Sequence, residues 1–375
     1  MDFVLVTHTR WSESPRIRHQ VARLLRDAGH RVLFVERADP AWRAHQSLPI
    51  EVERNIWTAR PTQWMHHQLR VLPWMHRLEG NHAGTQIHGL VRAWEPSTNT
   101  TIVNFTHDGW FLRRVFPRNR LITLINDDFE AQSRLPFRSH ITWTLERTCR
   151  ESDQVLAVSV PLQNKLSRWA DTQLFLPWAT VPYRAPVSTV ATRDTLLFWG
   201  YVDNAIDLDL VQRLATELAA TRPNFSIRFV GPTQTKGARE RIIQTLRPFP
   251  NISVTGPTAL DDLPLERTLA ALLPYRRSDA VDAVTLANKS MQLLARGLPQ
   301  LISGMPAFIR KDFVVRLDGA GGFSAAVATC EVGFDGMQPI IREFCEHNSS
   351  VSRLAALEGT KFFGSTRPNP TNFHG

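Results

Sequence analysis

Long apolar runs are missing from this 375-residue chain. No stretch reaches the ~18 consecutive apolar residues of a membrane-spanning helix, so no transmembrane segment is expected. Cysteine is scarce. Cys149, Cys330 and Cys345 are odd in number and far apart, which argues against a disulfide framework and a zinc site. A reducing, cytoplasmic setting is expected. The opening run Met1-Asp2-Phe3-Val4-Leu5-Val6-Thr7-His8 lacks the basic start and long apolar core of a signal peptide and reads as a strand. Lysine is rare, five of 44 basic residues. With no lysine-rich run and no nucleic-acid-binding motif, the formal charge of +9 points to anionic lipid headgroups or a nucleoside diphosphate rather than nucleic acid. Residues 1–180 hold 23 basic and 17 acidic side chains, so most of the excess lies there. Gly-x-Gly-x-x-Gly is absent too, which weakens any dinucleotide-oxidoreductase reading.

What is present is a strand–helix alternation. Phe3–Val6 is an apolar run, Ser14 to Gly29 has helical spacing, and Arg31 to Glu36 is a second strand. This β-α-β opening has the length of a Rossmann-like unit, with Thr7-His8-Thr9-Arg10-Trp11 as its first loop. Residues 40–98 look less regular. Trp57, Trp64, Met65, His66, His67, Trp74, Met75 and His76 gather there with Arg60, Arg70 and Arg77, and Trp64, Gln68, Val71 and Met75 have helical spacing. Such a segment suits a membrane interface; packing into the first domain is the plainer alternative. Strands at Thr101–Phe105 and Arg120–Ile125 end in Thr106-His107-Asp108-Gly109-Trp110 and Asn126-Asp127-Asp128. Ligands of open α/β sheets sit at the carboxyl ends of strands, so both clusters are candidate site segments.

A linker is expected near Trp178–Thr195, and a second α/β series follows. Strands at Thr195–Gly200, Phe225–Pro232, Asn251–Gly256 and Ala270–Tyr275 and a helix at Leu208–Ala220 predict another doubly wound parallel sheet. Ala287 to Pro299 reads as a short helix, with Asn288 or Ser290 as its cap and Gly297 and Pro299 as its stop. Lys289 near such a start makes an anion site, and Gln292 could present an amide to the same ligand. Phe323–Val327 and Ile340–Cys345 look helical, and 367–375 look poorly ordered.

The Lys289-x-x-Gln292 pattern before Gly297-x-Pro299 and an apolar strand resembles the nucleotide-sugar site of GT-B glycosyltransferases. Bacterial envelope-polysaccharide enzymes of the teichuronic-acid (family-4-like) and xanthan glucuronosyltransferase types share it. Gly200-Tyr201, Val230-Gly231-Pro232, Val254-Thr255-Gly256 and Pro274-Tyr275 resemble their donor domain in order and spacing, and the resemblance covers roughly residues 1–310. Two departures stand out. Val284 and Gln292 replace the paired glutamates of many family-4 relatives, and no basic residue follows Gly200 closely. The resemblance implies two Rossmann-like domains facing a central cleft. An acceptor-binding domain would span 1–180, a linker 181–194 and a donor-binding domain 195–350, with 351–375 crossing back to the first domain. It implies a sugar transfer from a nucleotide-diphosphate donor, most readily a UDP-sugar. The acceptor would be a lipid-linked sugar or a growing polysaccharide, in envelope or exopolysaccharide synthesis at an anionic membrane face.

Transfer needs a polarised diphosphate and, for inversion, a base. The implied donor contacts are Lys289, Gln292, Ser290, Asn288, Gly200, Tyr201, Gly231, Tyr275 and Arg276. Asp127 falls on the family's aspartate and is the candidate base, with Asp128 and His107 behind it; a helix-capping role for Asp127 and a structural one for His107 compete. His8, Arg10, Trp11 and Trp110 are candidate acceptor contacts. No cofactor is expected, and no metal if Lys289 opposes the diphosphate charge. A nucleotide-sugar 2-epimerase of the same fold and a non-catalytic nucleotide-sugar-binding protein remain the alternatives.

Overall fold

The computed structural model describes residues 1–13, 16–42, 47–65, 70, 72–97, 99–133, 138–187, 189–233, 237–319 and 321–359. Ser14, His66, His67, Gln68, Val71 and the tail 367–375 lie outside them. Two compact units divide the chain, one formed by Met1–Leu176 with the residues from Arg353 onward in the last helix, the other by Pro177–Ser352.

In the first unit the elements run β1 (Asp2–Val6), α1 (Ile17–Asp27), β2 (Arg31–Val35), β3 (Asp39–Pro40), β4 (Ser47–Glu53), β5 (Ile56–Arg60), β6 (Thr62–Gln63) and α2 (Pro73–Ala93). Then come β7 (Thr100–Asn104), α3 (Leu112–Val115), β8 (Arg120–Ile125), α4 (Arg138–Arg150), β9 (Gln154–Ala157), α5 (Val160–Leu166) and β10 (Thr172–Leu174). Eight strands form one sheet in the order β10-β9-β8-β7-β1-β2-β5-β4, parallel except where β4 returns against β5. The central strands are apolar on both faces, as a doubly covered parallel sheet requires: β1, β2, β7 and β8 are almost entirely buried. Ile87, Leu90, Val91 and Trp94 of α2 and its C-terminal end pack on Val4, Leu33 and Ile102.

The region read as irregular holds the β4–β5 hairpin and the 21-residue α2. Asn55 turns the hairpin in the left-handed conformation at φ 62°, which asparagine tolerates better than most residues, and Pro49 sits on the edge strand, where no ladder donor is needed. The helical spacing of Trp64 to Met75 does not make one helix: Trp64 and Met65 lie in a bend, and α2 starts at Pro73. A proline in the first turn opens a helix rather than interrupting one.

The second unit contains β11 (Thr195–Trp199), α6 (Leu208–Thr221), β12 (Ser226–Val230), α7 (Ala238–Leu246), β13 (Ile252–Thr255), β14 (Thr268–Pro274), α8 (Asp279–Asp282) and α9 (Asn288–Leu294). β15 (Gln300–Ser303), β16 (Val314–Arg316) and α10 (Gly322–His347) follow, and α11 (Ser350–Glu358) ends the described chain. Its six-stranded sheet is parallel throughout, in the order β13-β12-β11-β14-β15-β16. The two helical stretches expected after residue 320 are one 26-residue helix that continues through Pro339, held by Val327, Cys330 and Phe334 in the core. The end of α11 docks on the first unit. Arg120 donates to the Leu357 carbonyl at 2.7 Å, and His30 Nε2 lies 2.8 Å from Glu358.

Candidate active site

The carboxyl ends of the second unit's strands bring β11, β12, β14 and α9 together. Gly200 ends β11 at φ 135° and Gly231 ends β12 at φ 153°. A Cβ on Gly231 would lie 1.8 Å from the Gly200 carbonyl oxygen, and a Cβ on Gly200 would lie 2.9 Å from Lys289 Nζ. Only glycine lets these two loops and the lysine approach so closely.

Lys289 is half-buried. Its ammonium stands 4.0 Å over the Phe198 ring and 5.0 Å from the Tyr275 ring centre. Burial, with no carboxylate among the described residues to offset it, lowers its pKa to about 7. Asn288 Oδ1 and Ser290 Oγ, on either side of it in sequence, are buried with no hydrogen-bond partner among the described residues. The expected capping role is therefore not theirs: Ala287 is the N-cap and no side chain caps α9. Unmet buried acceptors and hydroxyls cost free energy, and a polar ligand would relieve them. Gln292 is not free to join a ligand as expected. Its amide donates to the Trp178 carbonyl at 3.2 Å and accepts from the Thr180 hydroxyl at 2.8 Å, fastening the entering segment to α9. Tyr201 is half-buried and Arg276 exposed.

In the first unit, Asp127 follows β8. Asn126 donates its amide to Oδ2, Arg18 lies 3.5 Å from the same oxygen, and Gln132 reaches Oδ1 at 3.3 Å. Burial raises the pKa of Asp127 against the opposing pull of Arg18. Asp128 is committed elsewhere: its Oδ1 accepts from Lys165 at 2.8 Å and from the Ala131 N–H at 3.1 Å. As the runner-up base it is corrected to a turn-forming, ion-paired residue. His107 is buried, 2% exposed, with Nδ1 3.0 Å from the Thr144 hydroxyl. Desolvation pushes its pKa down to about 4, so the imidazole stays neutral at pH 7.

His8, after β1, sets Nε2 3.4 Å from Asp108 Oδ1. Arg70 holds the other Asp108 oxygen at 2.9 Å. Burial would raise the Asp108 pKa, but His8, His107 and Arg70 together hold it well below the usual carboxylate range. His8, Arg70 and Asp108 line a cavity of about 70 Å³ with Glu36 and Gln63. Arg10 is paired with Asp39. The Trp11 N–H donates to Glu36 at 2.6 Å, and its ring packs against His19 and Phe34 at 5.1 Å each. Trp110 is corrected from acceptor contact to core residue: it is 5% exposed, and Arg147 covers its ring at 4.0 Å. As site residues the sequence reading missed Arg18, Arg70 and Asp108. Asp108 alone had a signal, its place at a strand end.

No family model matches the chain, and no curated protein matches it. Solved structures do. Sucrose-phosphate synthase from Thermosynechococcus elongatus superposes with a TM-score of 0.65 at 13% identity, over 96% of this chain and 97% of that one. HepE of Anabaena in complex with UDP and glucose gives 0.66 at 11%, over 95% and 98%. The lipopolysaccharide outer core galactosyltransferase WaaB in its apo form gives 0.62 at 11%, over 96% and 100%. At such identities the likeness is one of fold: the chain has the GT-B fold of two Rossmann-like domains.

Proposed function

We propose that the protein is a glycosyltransferase that moves a sugar from a UDP-sugar to a lipid-linked or polysaccharide acceptor in envelope or exopolysaccharide synthesis. The observation that carries this reading is the uncompensated Lys289 ammonium at the carboxyl end of a parallel sheet, beside Gly200 and two unsatisfied polar side chains. A donor diphosphate would supply the missing counter-charge, and the positive field would stabilise it as a leaving group without a metal in the scheme. The neighbour crystallised with UDP and glucose supports the same ligand class. In this scheme the second unit binds the donor through Lys289, Gly200, Gly231, Tyr201, Tyr275 and Arg276.

The first unit takes the acceptor, with Asp127 removing the hydroxyl proton and His8 and Arg10 beside the acceptor's path. The raised pKa of Asp127 suits a base, since basicity grows with pKa. Trp42, Trp64, Leu72, Trp74 and Leu78 are exposed apolar residues of this unit, and with its basic excess they support peripheral contact with an anionic membrane on the cytoplasmic side. Among the described residues no helix is long and apolar enough to cross a membrane. Incubation with a panel of UDP-sugars tests the reading. Slow UDP release supports the transferase, appearance of the 2-epimer would make the protein an epimerase, and binding without turnover would leave it a nucleotide-sugar-binding protein.

A further inference from the structure

Arg18 is a nearly buried cation, 4% exposed, in the first turn of α1. Its three N–H positions are used unevenly. One terminal nitrogen donates to the Thr9 hydroxyl in the loop after β1. The other donates to Asn126 Oδ1 at 2.9 Å and lies 3.5 Å from Asp127 Oδ2. Nε is buried without a partner among the described residues. Asn126 in turn gives its amide N–H to Asp127 Oδ2, so Arg18 acts on that oxygen both directly and through Asn126. Among the described residues the other oxygen, Oδ1, has only the 3.3 Å contact from Gln132. One face of the carboxylate is clamped and the other is left open to take a proton.

We propose that Arg18 is the positioning residue of the reaction: it keeps Asp127 ionised in a desolvated setting and turns Oδ1 outward to receive the acceptor proton. This rests on the assignment of Asp127 as base. Other charges face the pair. Arg16 at the start of α1 favours the carboxylate, and Glu13 favours the guanidinium. On the β8 side, Asp128 and Glu130 share the single ammonium of Lys165. Arg18 is thus the one cation within ion-pair distance of Asp127 among the described residues. A nearby opposite charge typically shifts a carboxyl pKa by ~1–3 units, against the upward push of burial on this group. No covalent change involves Arg18 itself.

The test measures the Asp127 carboxyl directly, by carbon-13 titration of the full chain, with Asp127→Asn identifying its resonance. Arg18→Met should raise the Asp127 pKa by about 1–3 units, and Arg18→Lys should restore most of the shift. The acidic limb of UDP release from the best donor of the panel should move up in parallel. An unmoved resonance in a folded Arg18→Met protein overturns the proposal even if Asp127→Asn is inactive. Conversely, an active Asp127→Asn enzyme overturns the base assignment, whatever the titration shows. If Arg18→Met does not fold, Arg18→Gln and Asn126→Leu carry the same titration: both should raise the pKa, the second by less, and no change in either refutes the role.

Discussion

The two units end their parallel strands in opposite electrostatic states. In the first, nearly every charge is answered: Asp108 by Arg70 and His8, Asp39 by Arg10 and Arg60, Asp128 by Lys165. In the second, Lys289 faces two aromatic rings and, among the described residues, no carboxylate. A saturated network holds side chains in one geometry, whereas an unanswered cation stores binding free energy for an anion that arrives later. In the proposed function the first becomes the proton-handling site and the second the charge-binding site, and the two should fail differently when cut.

Asp127→Asn is the sharpest cut. Transfer should fall by roughly 10²–10⁴-fold, the span of general-base loss, while UDP affinity by calorimetry stays within about twofold on the order of calorimetric error for an untouched site. Near-normal transfer in this variant together with an inactive His107→Ala would reverse the assignment. Next in size is Lys289→Ala. It should weaken UDP by about 10–100-fold, the range expected for a lost charge-assisted contact, and an unchanged Kd in a folded variant would remove the lysine from the donor site.

The lysine also makes the second unit pH-sensitive. Burial lowers the Lys289 pKa to about 7, and a UDP diphosphate bound beside it would favour the charged form. UDP affinity should therefore decline as pH rises through 7, by up to about tenfold per unit, and Lys289→Met should flatten that slope. The stability sign is the reverse. The folded pKa lies below the ordinary 10.5, so the unfolded chain binds more protons between about 7 and 10.5 and this group adds stability as pH rises there. Ligand-free Lys289→Met should therefore melt higher than wild type at pH 7 and approach it at pH 10.

Histidines give the first unit the opposite weakness. Burial lowers His76 to about 3 and His107 to about 4. Both stay neutral in the fold while the unfolded chain protonates, so their contribution, complete above pH 6.5, should fade as pH drops toward 4. His107→Gln should blunt that acid-side loss of Tm. The smallest effect concerns the exposed aromatics. Trp64→Ala with Trp74→Ala should reduce sedimentation with anionic vesicles several-fold in low salt, and equal binding to neutral vesicles would refute the membrane face.

The strand–helix alternation, Gly200, Gly231 and Lys289 were legible in the chain because each depends on local rules: period, turn chemistry and spacing to a helix start. By the same token α7 was not seen, because its face toward the core is carried by little more than Ala238, Ile242 and Leu246. The β4–β5 hairpin stayed hidden because exposed Leu48, Ile50 and Val52 give alternation without a buried face. Trp110 was read as a ligand contact because residue type says nothing of which side of a sheet end an aromatic turns to.

Arg18 shows where sequence reading stops. It stands 108 positions from Asn126 and 109 from Asp127, and neither periodicity nor motif links them. The chain by itself determined two parallel α/β sheets and the lysine at the helix start. Tertiary structure alone decided which strand-end charges are answered and which stay open, because pairing and desolvation depend on groups that meet only when distant segments fold onto one sheet edge.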